Sequence, residues 1–164
     1  MIAPPFDVGP IGKMGVFQDP TGAFISIWQS DTMPGVEIRE TQNAFAWAEL
    51  NARGFGKAKP FYQQVFGWGV KESPLGEGQT YTEWQLDDKS VAGGMEMAPV
   101  VPAEVPSHWL LYFEVDDVDA KTAKAHELGA TILAQPMDFP GGRFSIVQDP
   151  QGAVLGIVKS GGQS

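Results

Sequence analysis

Apolar and polar positions along the chain follow two rhythms. Short runs in which Val, Ile, Leu, Phe, Tyr or Trp alternate with polar residues, bounded by Gly, Pro, Asn or Asp, predict strands over residues 44–51, 68–72, 80–86, 90–97, 108–115, 131–134, 143–148 and 153–159. Two other segments have helical spacing, residues 55–67 and 117–129. In the second, Val118, Ala125 and Leu128 make an apolar stripe, Asp116 or Asp117 is placed to cap it, and Gly129 to end it. Pro60 fits only an opening turn, so the first helix is expected to start near Ala58. The resulting order is β-α-β-β-β, twice, over residues 43–97 and 107–159.

A repeat stands outside this order. Gly12–Gln29 matches Gly142–Lys159 at a constant offset of 130, with seven of 18 positions identical, including the run Q-D-P-x-G-A. That run encodes a specific turn: proline presets φ, glycine supplies positive φ, and aspartate bonds its own turn backbone. The second copy closes the second βαβββ unit. The first has almost nothing before it, and a lone hairpin carrying Phe17, Phe24, Ile25, Ile27 and Trp28 needs a surface to cover it. The chain thus divides into a hairpin segment (1–30), a polar linker with Pro34-Gly35 (31–42), a complete domain (43–159) and a tail (160–164).

Composition narrows the function classes. The 164 residues carry 20 acidic and 11 basic side chains, a net charge of −9, which argues against binding a phosphate backbone. There is no cysteine, so disulfides, thiolate metal sites and cysteine nucleophiles are excluded. The first residues lack a basic leader and an apolar core, and no run approaches the ~18 apolar residues of a membrane helix. A cytoplasmic protein that binds neither nucleic acid nor membrane is expected. Ser107 and Ser145 have no His and Asp at a hydrolase spacing, and Gly93-Gly94 matches no phosphate loop and reads as close backbone approach or a bulge. His126, between polar neighbours, is expected at the surface.

The doubled βαβββ order, with FYQQVFGW ending the first helix, VDDVDAKTAKAHELGA in the second and GRFSIVQDPQGAVLGIVK at the close, resembles the glyoxalase, bleomycin-resistance and extradiol dioxygenase (vicinal oxygen chelate) superfamily. The resemblance covers about residues 43–159. More narrowly, WAEL, SHWLLYFEVDDVDA and GRFSIVQDPQGA look like bacterial proteins with two such domains in tandem, and residues 12–29 then look like the last hairpin of a preceding domain. The resemblance implies an α+β fold in which two βαβββ modules form a half-open barrel around one cup, preceded here by an extra β-hairpin.

Metal-dependent members of that superfamily place a ligand on the first and last strand of each module. By strand matching these positions fall on Trp47, Leu110, Gly156 and the region Gly93–Met95, none of which offers a donor to a divalent ion. No cofactor is therefore expected, and Zn, Ni, Mn or Fe would need non-standard ligands. What the cup retains is Glu49, on the same strand face as Trp47, and His108, on the same face as Leu110 and Tyr112. If the two first strands pair as in the superfamily, Glu49 lies near His108 and the two form an acid/base pair; alternatively, both simply satisfy local groups. Trp47, Trp84, Leu110 and Tyr112 are candidates to line the cup for a planar or apolar molecule, and Arg143 to meet a ligand carboxylate at its rim, unless it is an ordinary solvated arginine.

Three functions follow as expectations. The first is metal-free binding of a small aromatic or apolar molecule. The second is a glyoxalase-like lyase, dioxygenase or hydroxylase that uses Glu49 and His108 as acid and base or as shifted metal ligands. The third is a structural half of a larger tandem protein. A homodimer is also expected, with residues 12–29 crossing to the partner or lying along their own domain's sheet.

Overall fold

The eight strands that alternation predicts all form, and in the computed structural model, which describes residues 2–76 and 78–161, their pairing repeats. The first module consists of β4 (Phe45–Ala52), α1 (Ala58–Phe66), β5 (Gly69–Gly76), β6 (Gln79–Leu86) and β7 (Lys89–Glu96). β5, β6 and β7 are antiparallel neighbours, and β7 returns parallel to β4. The second module, β8 (His108–Glu114), α2 (Val118–Glu127), β9 (Thr131–Phe139), β10 (Gly142–Gln148) and β11 (Val154–Ser160), has the same plan, with β11 returning parallel to β8. These are the two βαβββ modules of the predicted α+β class. No described helix is long and apolar enough to cross a membrane.

Local chemistry sets the helix ends. α1 begins at Ala58, so Pro60 sits in the opening turn, and it stops at Gly67, whose φ of 68° suits glycine. Asp117 caps α2 by accepting the Ala120 amide at 3.0 Å. The buried stripe of α2 differs from the expected one. Val118 and Thr122 are buried and Ala125 packs partly against them, whereas Leu128 is 69% exposed because the helix ends before it. Thr122 is tolerated in this interior because its hydroxyl donates to the Val118 carbonyl and shares a 2.6 Å hydrogen bond with Ser145 on β10. β9 runs nine residues, well past the expected 131–134; Pro136 and Asp138 hide its second half from an alternation pattern.

The chain separates into two compact units. One contains the residues up to Glu37 together with Ala48–Trp109, and the other contains Ile38–Trp47 together with Leu110 onward. The core of the second unit includes Val115, Val118, Val147 and Ile157 under α2. The core of the first is centred on Tyr62 of α1, with Leu50, Ala52, Phe55, Ala58, Trp84 and Ala92. Gly94 belongs to this packing: a Cβ there would stand 2.6 Å from the Phe55 ring and 3.0 Å from the Leu50 carbonyl oxygen. Close approach is therefore the role of that glycine.

The N-terminal hairpin is part of a three-stranded sheet of order β1-β2-β3, with β1 at Ala3–Asp7, β2 at Gly12–Gln18 and β3 at Phe24–Ser30. β1 is absent from the strand pattern because Pro4-Pro5 reads as a break. The pairing identifies it as the counterpart of β9. Ala3 faces Val16, Phe6 faces Met14 and Asp7 faces Lys13, just as Ala134 faces Ile146, Met137 faces Phe144 and Asp138 faces Arg143. Each strand takes three steps where its partner takes two, so both contain one extra residue at the same point, beside Pro5 and Pro136 respectively. The Lys13–Asp7 and Arg143–Asp138 ion pairs also correspond, at 3.4 and 2.9 Å. The repeat thus covers a whole β-sheet motif. Close backbone approach confines both Gly12 and Gly142 to glycine: at φ of 155° and 143°, a Cβ would stand 2.4 Å from the Gln29 carbonyl oxygen and 2.0 Å from that of Lys159.

The two Q-D-P-x-G-A turns share one hydrogen-bond pattern. Asp19 Oδ1 accepts the amides of Thr21 and Ala23 at 2.7 and 3.1 Å; Asp149 Oδ1 accepts those of Gln151 and Ala153 at 2.9 and 2.8 Å. Gln18 and Gln148 donate to the carbonyls of Gly22 and Gly152, both at 3.1 Å. Only the first turn is buried. It rests on the first module, with Ala23 fully covered, Ile25 against the Tyr62 core and Phe17 edge-on to Phe61 at 6.0 Å. The hairpin packs on the first module through its turn and one face, and among the described residues β3 is the outer strand of its sheet.

Candidate functional site

β4 presents two faces. Leu50 and Ala52 enter the core beneath α1, so alternation turns Glu49 and Asn51, with Trp47 before them, to the other face. On the neighbouring strands Thr82, Trp84, Ala92 and Gly94 are buried, which turns Tyr81, Glu83 and Gly93 to the Glu49 side. Register aligns Glu49 with Gly93 of β7, and Gly93 with Glu83 of β6.

Glu49 is 7% exposed and its carboxylate is hydrogen-bonded at both oxygens. Asn51 Nδ2 donates to Oε1 at 3.1 Å, and the Tyr81 hydroxyl donates to Oε2 at 3.0 Å. β6 and β4 flank β7, so they lie about 9.5 Å apart, twice the usual strand spacing. The tyrosine crosses that distance where Gly93 contributes no side chain. Glu83, further along the row, accepts from Ser90 at 2.5 Å and pairs with Lys71 at 3.7 Å. The face therefore holds a bonded carboxylate, a phenol and an amide. Neither Tyr81 nor Asn51 is marked by sequence motif; their signal was the spacing 47, 49, 51 on one strand, opposite a glycine on the next.

The other predicted residues separate. His108 is partly exposed, and its Nδ1 meets the Pro106 carbonyl at 2.9 Å. Among the described residues no ion pair joins His108 to Glu49. Trp84 lies on the helix side, fully buried, with ring neighbours Phe55, Tyr62, Trp68 and Trp109 at 5.1–6.2 Å. It is a core residue, because its strand position shares the parity of Thr82 and not of Tyr81. Arg143 is held on the α2 side by both oxygens of Asp119, at 2.7 and 2.8 Å, and by Asp138 at 2.9 Å. Those hydrogen bonds keep the Asp119 carboxyl below the usual carboxylate range and raise the guanidinium further. Its Nε and both terminal nitrogens donate to these two carboxylates.

Trp47, Leu110 and Tyr112 do come together, in a cluster with Ala46, Phe144, Ile146 and Val158 in the second unit. Leu110 and Tyr112 are 3% and 7% exposed, and Trp47 is half-buried. Tyr112 faces Gly156 in register, and a Cβ on Gly156 would stand 2.1 Å from the Tyr112 ring. The phenol ring occupies the ground where a ligand side chain on β11 would stand. With Trp47 and Leu110 on the first strands and Gly93 on β7, the residues at the superfamily's metal positions do not fit a divalent ion. Among the described residues no group of three or more His, Asp or Glu side chains comes together to hold one.

Comparison with known proteins agrees with this architecture. "Putative glyoxylase CFP32" of Mycobacterium tuberculosis is 38% identical over 160 residues, covering 97% of this chain and 60% of that protein. "Anthracycline biosynthesis protein DnrV" of Streptomyces peucetius is 36% identical over 159 residues, covering 97% and 57%. The chain thus spans about 60% of the length of the curated relatives it matches. Among solved structures, hypothetical protein BH1468 of Bacillus halodurans C-125 has a TM-score of 0.58 at 12% identity, covering 76% of this chain and 99% of that one. Methylmalonyl-CoA epimerase of Mycobacterium tuberculosis has a TM-score of 0.53 at 15% identity, covering 76% and 94%. At such identities these structures speak for the fold. The family model described as Glyoxalase/Bleomycin resistance protein/Dioxygenase superfamily matches residues 44–157, and with the doubled βαβββ plan it establishes that the chain belongs to that superfamily.

Proposed function

We propose that the chain binds a small planar organic molecule without a metal, on the face of β4, β7 and β6 that bears Glu49. The observation behind this reading is the Glu49 carboxylate, 7% exposed yet on the side away from the helix core and held by Tyr81 and Asn51. A carboxylate fixed in this way suits a ligand hydroxyl or amine, and a charge-assisted bond of that kind is stronger than a neutral one. The residues at the superfamily's metal positions support metal independence. The relatives named for anthracycline biosynthesis, 36% and 34% identical, favour a hydroxylated polycyclic aromatic as the ligand class.

Catalysis is the second reading, favoured by the Tyr81–Glu49 hydrogen bond, since a carboxylate within hydrogen-bond reach of a phenol is placed for acid/base work. It draws on Glu49 and on His108, whose Nδ1 meets the Pro106 carbonyl.

Titration with 1,4-dihydroxyanthraquinone, followed by tryptophan fluorescence and alongside elemental analysis of natively purified protein, tests the proposal. Saturable binding by metal-free protein, weakened in Glu49→Gln, is the expected result. Stoichiometric Zn, Ni, Mn or Fe, or binding unchanged by the substitution, overturns it. Conversion of the probe would move the assignment to the catalytic reading.

A further inference from the structure

The two Q-D-P-x-G-A turns share the same backbone-amide and glutamine hydrogen bonds, the first adding one from the Thr21 hydroxyl to Asp19 Oδ1 at 2.6 Å, and they differ in exposure. Asp19 is 5% exposed and Ala23 fully buried, whereas Ala153 is exposed and Asp149 partly exposed. The first turn has a receptor. Asp19 Oδ2 accepts the Tyr62 hydroxyl at 2.8 Å, and the Tyr62 hydroxyl oxygen in turn accepts from Trp109 Nε1 at 3.1 Å. Ala23 fits against the same cluster of Leu50, Ala52 and Tyr62. In the second turn Oδ1 of Asp149 is used by the turn itself, and among the described residues no donor reaches Oδ2.

We propose that the exposed turn Gln148–Val154 is a docking element, and that its partner is another βαβββ module presenting a tyrosine hydroxyl backed by an indole N–H, as Tyr62 and Trp109 do. The chemistry is that of the first turn: an aspartate oxygen left over from an Asx-type turn meets a phenol, and the small Ala153 fits where a larger residue would not. The partner is a module with an unfilled receptor, because in a second copy of this chain Tyr62 is already engaged by Asp19. An intramolecular turn outcompetes one from solution by its effective concentration, roughly millimolar for a short tether.

Vacating the receptor in the full chain tests this. Asp19→Arg removes the Tyr62 acceptor and drives the first turn out, leaving Tyr62 open to the Asp149 turn of another copy. Light scattering should show the mass rising above that of the parent chain with concentration, and the double variant Asp19→Arg/Asp149→Arg should return to the parent's mass. Asp19→Ala is the milder version should the arginine variant not fold, and carries the same expectation with Asp149→Arg. A single variant that matches the parent's mass overturns the proposal. So does association that persists when Asp149 is also changed, because the contact would then run through other exposed surface.

Discussion

Tyr62 donates its hydroxyl to Asp19 across 43 positions of sequence, at 2.8 Å and inside the core of the first unit. This bond fastens the N-terminal sheet to the first module. Tyr62→Phe keeps the ring packing and leaves Asp19 Oδ2 buried without its donor, a loss of about 1–3 kcal/mol. Urea denaturation of the variant should show that decrease, and amide exchange should rise first in Gly12–Ser30.

The same residue sets an alkaline limit. Burial, the hydrogen bond to Asp19 and the charge of Asp19 hold the Tyr62 phenol well above its ordinary value. The folded state therefore binds that proton more tightly than the unfolded state does. Its contribution is complete below a pH of about 10 and falls as the pH rises beyond it. Unfolding followed between neutral pH and strongly alkaline conditions should show a steeper loss for the parent chain than for Tyr62→Phe.

Gly156 allows Tyr112 its place. Gly156→Ala forces a Cβ to within 2.1 Å of the ring unless strands part, an overpacking of about 1–3 kcal/mol or more. In a Tyr112→Ala background the added methyl should cost much less, so a double-mutant cycle by thermal denaturation should give strong coupling between the two positions.

The proposed ligand face predicts a split among charged and polar residues. Tyr81→Phe should weaken binding of 1,4-dihydroxyanthraquinone about tenfold, the equivalent of one charge-assisted hydrogen bond made less rigid. Arg143→Ala should leave that affinity unchanged, because its guanidinium is tied to Asp119 and Asp138. Fluorescence titration of both variants is the measurement.

Element order was legible because two periodicities dominate the chain, and Pro60 and Asp117 mark helix starts by chemistry that tertiary structure does not override. β1 was not, since Pro4-Pro5 breaks alternation and only pairing with β2 reveals it as the partner of β9 in the repeat. The site was legible in part. Alternation placed Trp47 and Glu49 on one face and brought Trp47, Leu110 and Tyr112 into one cluster. It could not supply the Tyr81–Glu49 bond, which is made from two strands away, nor the hold on Arg143 by Asp119, which lies on a helix 24 positions earlier.

The turn at Asp19 closes over four residues, and its docking on Tyr62 closes over 43. Loops of about ten residues close in roughly 10–100 ns, while longer closures carry a larger entropic cost. The N-terminal sheet can therefore assemble early, as a preformed piece, and meet the first module late. Substitutions at the Tyr62–Asp19 contact should then speed unfolding far more than they slow folding, so this bond governs how long the native chain persists.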